Sequence, residues 1–398
     1  MVTHRCQVVI VGAGIAGLWL YRHLLARGID ALLLENRRAG QMQTLASQGI
    51  LHSGVKYRLD GSSSAIAELL RSQPPIWLDA MRGQGAVSLV GTKATAEHQY
   101  MWAGGGIASK VAAFVGAKSM ISEVQEVARK DWPQPLIDGG HRGSVYRIAE
   151  TVIDTKTAVH ALLRGADSNA RQGEIQSYEF DASGKLVALV VKADAAADAV
   201  RLEAGAFIFT AGRGNELAAE KLGLGIGVTQ CRPLKMVMMR GRLPKLFGHV
   251  VVASHRPRAT ITSHELGDEV VWYLGGQIAE TCTTLDDAAG IEHAKQEVHE
   301  LFPGMNLAAM QVKWALHAVD RAEPNHSAGW LPDGPVLLPK ANAALAWPTK
   351  LVYAPALADK ATAFLDTIAL GEKSNGATVP LPPMQVGSYP WETTGVWL

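Results

Sequence analysis

Residues 6–35 read CQVVIVGAGIAGLWLYRHLLARGIDALLLE. The opening CQVVIV is a nearly continuous apolar run rich in β-branched side chains, the pattern of a strand buried on both faces. GAGIAG follows, with Gly12, Gly14 and Gly17 in G-x-G-x-x-G spacing around Ile15 and Ala16. A dense apolar helix then runs to Gly28, and DALLLE forms a second buried strand ending at Glu35, beside Asn36. In such a unit the first glycine makes the tight turn and the second lets a pyrophosphate approach the backbone. The third lets helix and strand pack closely, and the helix N-terminus faces the phosphate charge. A carboxylate about 20 residues further on, here Glu35, can accept from ribose hydroxyls. Strand, glycines, helix, strand and terminal acid in that order predict a dinucleotide site rather than an ordinary strand–turn–helix. Tyr21 departs from the small residue often found four positions after the third glycine.

Three further stretches bear on which dinucleotide is held. Residues 40–57, GQMQTLASQGILHSGVKY, are small and polar through Thr44, Ser47, Gln48 and Gly49, and end on His52, Gly54, Lys56 and Tyr57. Such a stretch suits either a polar surface loop or backbone laid along a large flat cofactor. Residues 206–215, AFIFTAGRGN, read as a buried strand entering a glycine-rich turn at Thr210, Ala211 and Gly212. Residues 346–356, AWPTKLVYAPA, precede a helical pattern from Leu357 to about Leu370.

Taken in this order, the stretches resemble the D-amino-acid oxidase and glycerol-3-phosphate dehydrogenase superfamily of FAD-dependent oxidoreductases, over almost the whole chain. Ser47, Gln48, Gly49, His52 and Gly54 match its Ser/Gly-rich segment ending in His-x-Gly, and Thr210, Ala211 and Gly212 match its later strand end. Pro348, Thr349 and Lys350 resemble the Gly-Gly-Lys segment of the glycerol-phosphate branch, with both glycines replaced. The resemblance implies FAD rather than NAD. It also implies an α/β fold in which a Rossmann-like FAD-binding domain carries an inserted, mostly antiparallel α+β substrate domain.

Composition narrows the alternatives. Of 398 residues, 48% are hydrophobic, and 38 Lys and Arg balance 37 Asp and Glu for a formal net charge of +1. That balance offers nothing to attract nucleic acid or an anionic membrane. Three widely spaced cysteines, Cys6, Cys231 and Cys282, argue against a disulfide framework and fit a reducing compartment. The N-terminus runs straight into a strand without the parts of a signal peptide, and no apolar run reaches spanning length. A soluble, cytoplasmic protein is the expectation. No HExxH, GxSxG or GxxxxGK[ST] is present, and no metal is expected.

Along the rest of the chain, residues 65–82 read as a helix broken at Pro74-Pro75, after a loop-like GVKYRLDGSSSA. Residues 86–146 carry short strand-like runs and the triplet Gly104–Gly106. EIQSYEF and KLVALVVKA flank an ASG turn as a hairpin. PLKMVMMRG, HVVVASHRPRATITSH and VVWYLGGQIAE are candidate antiparallel strands. DDAAGIEHAKQEVHELFPG is an amphipathic helix with Ile291, Ala294, Val298, Leu301 and Phe302 on one face. QVKWALHAVDRAEPN is expected to lead back into the nucleotide domain. The expected division is a discontinuous FAD-binding domain of residues 1–80, 145–215 and 320–398, with residues 81–144 and 216–319 as the substrate domain.

The chemistry the resemblance implies is removal of a hydride equivalent from a carbon bearing OH or NH, leaving one proton for the protein to accept. His52 is the candidate base, since imidazole titrates near physiological pH; a structural hydrogen-bonding role is the alternative. Lys350, just before a helix N-terminus, would meet developing negative charge on the flavin, or else be a surface lysine. Arg321 resembles the family's carboxylate- or phosphate-anchoring arginine, a structural ion pair being the alternative. Thr262, His264 and Tyr273 fall on strands expected to face the cofactor, although alternation favours reading His264 as a core or surface histidine; Arg258 and Arg240 are weaker anion-binding candidates. The reading is an FAD-dependent oxidoreductase for a small polar substrate: a hydroxy acid, a polyol phosphate, or an amine or amino acid. The His-x-Gly and Pro-Thr-Lys segments lean toward the first two. Oxygen or a quinone is the open choice of electron acceptor. The alternatives are a flavin-dependent RNA-modifying or nucleic-acid-binding protein and a non-catalytic flavin scaffold.

Overall fold

The computed structural model describes residues 1–54, 64–103, 124–166, 168–252, 256–325, 334–374 and 378–398. Lys56 and Tyr57, most of the GVKYRLDGSSSA loop and the triplet Gly104–Gly106 lie outside the described residues. The β-branched run predicted at the N-terminus is the strand Val2–Val11, central in an eight-stranded sheet. It pairs in parallel with Ala31–Glu35 on one side and Val200–Phe209 on the other. The parallel order continues outward to Ala170–Gln172 and to Ala343–Trp347, with Val336–Lys340 added antiparallel at the edge. The predicted hairpin forms from Glu174–Phe180 and Leu186–Lys192, and attaches to the first half of Val200–Phe209.

The helix Ile15–Ala26 lies between this sheet and the helices Thr155–Leu163 and Ala354–Leu365. That position explains why it is apolar nearly all round. Tyr21 is buried within it, and the packing accommodates the ring. The helix Ser64–Met81 is not broken at its two prolines; Pro74 and Pro75 lie inside it. Proline removes backbone donors and strains the turn before it, but the helix is held just before the prolines, where Gln73 Oε1 accepts the Ala356 N–H at 3.2 Å, and just after them. Buried Trp77 packs against Trp19, with ring centroids 4.6 Å apart and planes tilted by 48°, and donates its indole N–H to the Val352 carbonyl.

The second sheet also has eight strands, in the order Lys313–Pro324, Thr229–Gly241, Glu269–Gly275, Ala259–Leu266, Gly248–Val251, Gln99–Ala103, Val145–Ile148 and Val124–Glu126. Every pair is antiparallel except Gly248–Val251 with Gln99–Ala103. The segment expected to return to the nucleotide domain, residues 311–325, instead supplies the edge strand Lys313–Pro324, paired with Thr229–Gly241 over 12 positions. Val145–Ile148 likewise belongs to this sheet. Alternation along Thr229–Gly241 divides two cores. Val237 and Met239 face the helix Asp287–Leu301 with Ile291, Ala294 and Val298. Met236 and Met238 face the core shared with Val8, Ile10 and Leu33 of the nucleotide sheet. The site lies at that shared face. No helix among the described residues is long and apolar enough to cross a membrane.

Candidate flavin site

The glycine unit folds as its spacing requires. Gly12 has φ +102°, and a Cβ there would lie 2.6 Å from the Thr210 carbonyl oxygen. A Cβ on Gly17 would lie 1.9 Å from the Gly12 oxygen, so strand, turn and helix are in backbone contact. Gly14 differs: its Cβ would meet only the Thr44 hydroxyl, at 3.4 Å, which leaves open space at the helix N-terminus. Thr44 Oγ1 accepts the Ile15 N–H at 2.9 Å, and Ala16 and Gly17 complete the first turn. Glu35 accepts the Ala13 N–H at 2.8 Å and the Arg37 N–H at 3.0 Å, so the carboxylate is fixed beside the turn; Asn36 next to it is exposed. From the other side, the Thr210 hydroxyl donates to the Gly12 oxygen at 2.8 Å, and the Ala211 N–H is held by Asn215 at 2.9 Å. Gly212 lies next to Gln43 and Ala322. Open space at Gly14, a helix N-terminus, the Thr44 hydroxyl and a fixed carboxylate suit pyrophosphate and ribose.

The polar stretch after Glu35 is a structured bridge between the two sheets. The Ser47 hydroxyl donates to the Thr44 oxygen at 2.7 Å. The Gln48 amide donates at 2.9 Å to both the Thr260 and Tyr273 carbonyls of the second sheet. The Gly49 carbonyl accepts the Ile153 N–H at 2.8 Å, and Leu51 donates to Thr151 at 2.9 Å. This brings His52 against a buried carboxylate that no motif in the sequence pointed to, with His52 Nδ1 3.2 Å from Glu150 Oε2. The same carboxylate accepts the Ser53 N–H at 3.0 Å, the Ser53 hydroxyl at 3.2 Å and the Gln99 amide at 3.2 Å. His249 Nε2 approaches it to 3.8 Å.

The other candidates divide. Thr262, His264 and Tyr273 stand on the expected face but are sealed in the core at 0%, 7% and 0% exposure. His264 is caged by Trp391, Tyr389 and Tyr273, with its Nε2 3.3 Å from the Thr262 hydroxyl. Burial pushes its pKa down to about 4, so the ring is neutral. Tyr273 donates to the Ala46 carbonyl, and burial raises its pKa. Arg258 points the other way, paired with Glu297 at 2.7 Å and with Glu300, both on the helix Asp287–Leu301. Arg240 pairs with Glu269 at 2.5 Å and lies over Trp397. Both arginines are committed to structural pairs.

Arg321 and Lys350 keep their candidacy. Arg321 stands directly opposite Arg232 in register, on the face that carries Met236 and Met238 into the shared core. Its buried Nε has no hydrogen-bond partner among the described residues, and its nearest carboxylate, Glu280, is 4.0 Å away. Arg232 is already held bidentately by Glu323 at 2.7 and 2.6 Å. Burial, reinforced by Arg232, pushes the Arg321 pKa down. Lys350 precedes the helix Ala354–Leu365 with its ammonium 5.3 Å from the Tyr353 ring centre. Thr349 before it has φ +58°, a strained left-handed conformation for a β-branched residue, at one of the positions where the resemblance expects glycine.

Two sheets share one core around a glycine-rich dinucleotide cradle, and comparison with known proteins puts this arrangement among flavin-dependent oxidoreductases. The family described as FAD dependent oxidoreductase (DAO) matches residues 7–337, and the chain belongs to it. It is 35% identical over 389 residues, 97% of both chains, to the probable FAD-dependent oxidoreductase PA4991 of Pseudomonas aeruginosa. The crystal structure of that relative superposes with a TM-score of 0.81, at 32% identity and 98% coverage of each chain. A 59-residue stretch is 40% identical to one of the subunits of the anaerobic glycerol-3-phosphate dehydrogenase of Haemophilus influenzae, covering 15% of this chain and 10% of that one. Glycine oxidase from Geobacillus kaustophilus shares the fold at 17% identity, with a TM-score of 0.63 over 92% of this chain and 95% of its own. The cofactor is FAD.

Proposed function

We propose that this oxidoreductase acts on a small anionic substrate bearing OH or NH on the carbon to be oxidised. Arg321 takes the anion and His52 takes the proton. The observation that carries this reading is the Nε of Arg321, which has no hydrogen-bond partner among the described residues. That Nε is buried although the side chain is 30% exposed, and the residue stands directly across from Arg232, whose own carboxylate partner is fully engaged. A buried donor left unmade costs about 1–3 kcal/mol, and two neighbouring guanidinium groups repel. A carboxylate or phosphate placed there would satisfy the donor and offset the repulsion, and the planar fork of arginine fits either group. The glycerol-3-phosphate dehydrogenase that shares a stretch with this chain is named for a substrate of this kind.

Bound FAD supplies two-electron acceptance. The helix N-terminus at Gly14, with Thr44, holds its pyrophosphate, Glu35 holds its ribose, and Lys350 contributes positive charge. His52 Nε2, which has no hydrogen-bond partner among the described residues, receives the proton of the substrate O–H or N–H. The test is anaerobic flavin reduction with matched pairs: hydroxy acids, amino acids and polyol phosphates against their neutral amides or polyols. Reduction confined to anionic members supports the reading. Equal rates for the neutral partners would remove Arg321 from substrate binding.

A further inference from the structure

Glu150 is almost fully buried, at 1% side-chain exposure, yet it is surrounded by donors. One oxygen accepts the Ser53 N–H and hydroxyl, and the other accepts the Gln99 amide. Hydrogen bonds of this kind favour the ionised form, and an ionised carboxylate can only accept. His52 Nδ1, at 3.2 Å from the second oxygen, must therefore carry a hydrogen directed at it. A neutral imidazole has one N–H, so the lone pair falls on Nε2.

The second imidazole nearby, His249, is fully buried. Its Nε2 faces the same Glu150 oxygen at 3.8 Å, and its Nδ1 lies 2.9 Å from the Thr260 hydroxyl. Thr260 is also the residue whose carbonyl receives the Gln48 amide. The cluster thus joins the His52 segment, the strands Gln99–Ala103, Gly248–Val251 and Ala259–Leu266, and the turn after Val145–Ile148. Among the described residues, three separate parts of the chain meet this one carboxylate, and Ala259–Leu266 supports His249 behind them.

We propose that Glu150 is a positioning residue for the oxidation, fixing His52 as the Nδ1–H tautomer with Nε2 ready to take the substrate proton, while His249 buttresses the same carboxylate. This rests on His52 being the base. In the transfer, the substrate O–H or N–H bond breaks and an Nε2–H bond forms. The neutral imidazole becomes an imidazolium, and the His52–Glu150 pair goes from one negative charge to none. A buried carboxylate is well placed to stabilise that change. The titratable groups facing Glu150 among the described residues are His52 and His249.

Four variants and one spectrum test this. In Glu150→Gln the amide can donate to Nδ1 and shift the hydrogen to Nε2, so flavin reduction in FAD-loaded protein should slow on the order of 10²-fold. His52→Asn should lose at least as much, and the double variant should lose little more than His52→Asn alone. Glu150→Asp should recover part of the rate and the wild-type pH profile. The ¹⁵N spectrum of the imidazoles, with the His52 signals assigned by difference from His52→Asn, should show the hydrogen on Nδ1. This readout needs neither turnover nor a folded Glu150 variant. A slow His52→Asn beside an unaffected Glu150→Gln would overturn the role of Glu150 and leave His52 as base. Wild-type reduction in His52→Asn would overturn the base itself. A His52 hydrogen found on Nε2, or an effect of Glu150→Gln confined to FAD content and melting temperature, would also overturn the inference.

Discussion

The hydroxyl of Tyr273 donates to the carbonyl of Ala46 at 3.0 Å, fastening the second sheet to the loop that follows Glu35. Both groups are buried, so Tyr273→Phe leaves an acceptor without its donor. We expect a loss of about 1–3 kcal/mol in stability, read as a lower unfolding midpoint in FAD-loaded protein. An unchanged midpoint would mean that the bond does not hold the junction.

Gly14 and Gly17 should respond differently to the same added methyl. A Cβ on Gly14 meets only the Thr44 hydroxyl at 3.4 Å, whereas one on Gly17 would lie 1.9 Å from the Gly12 oxygen. Gly14→Ala should therefore fold normally and lose FAD affinity, because the methyl takes pyrophosphate space. Gly17→Ala should lose stability of the chain itself. Far-UV spectra, melting and flavin content distinguish the two, and Gly14→Ala protein with full FAD would remove Gly14 from the phosphate site.

His264 carries a pH signature. Burial lowers its pKa from 6.5 to about 4. The unfolded chain therefore binds a proton below 6.5 that the folded chain refuses until about 4. Its contribution to stability is full above 6.5 and is lost as pH falls toward and through 4, by roughly 3 kcal/mol at about 1.4 kcal/mol per unit. His264→Phe should flatten the stability curve in that window. Parallel curves for the two proteins would show that the ring is not held neutral.

Arg321→Met should raise KM for the anionic substrate and slow its reduction of the flavin, with FAD content unchanged. The loss expected is about 1.5–3 kcal/mol, that of a hydrogen bond to a charged group. Arg321→Lys should recover only part, because an ammonium cannot reproduce the fork. Wild-type kinetics in Arg321→Met would return this arginine to a structural role.

What could be seen in the sequence was what lies close together along it. The glycines, the strand before them and Glu35 act within one local unit, so their spacing already encodes the turn. His52 was visible because it ends a polar stretch following that unit. Its partner was not, since Glu150 lies 98 residues away, and Gln99 joins the cluster only through sheet pairing. Arg258 shows the same limit from the other side. Its strand was legible, but its bond to Glu297 on a later helix was not, and alternation alone cannot say which layer covers a face. The cage that seals His264 was equally out of reach, because it comes from Tyr389 and Trp391, more than 100 positions later in the chain.

The proposed role of His52 as acceptor of the substrate proton can be read in stopped-flow reduction of FAD-loaded His52→Asn under anaerobic conditions. Flavin content is measured first and the rate is followed across pH. The variant should keep its FAD and fold, reduce on the order of 10²–10⁴-fold more slowly, and lack the rise of rate with pH expected of the wild type. Reduction near the wild-type rate with the same pH profile would mean that His52 is not the base.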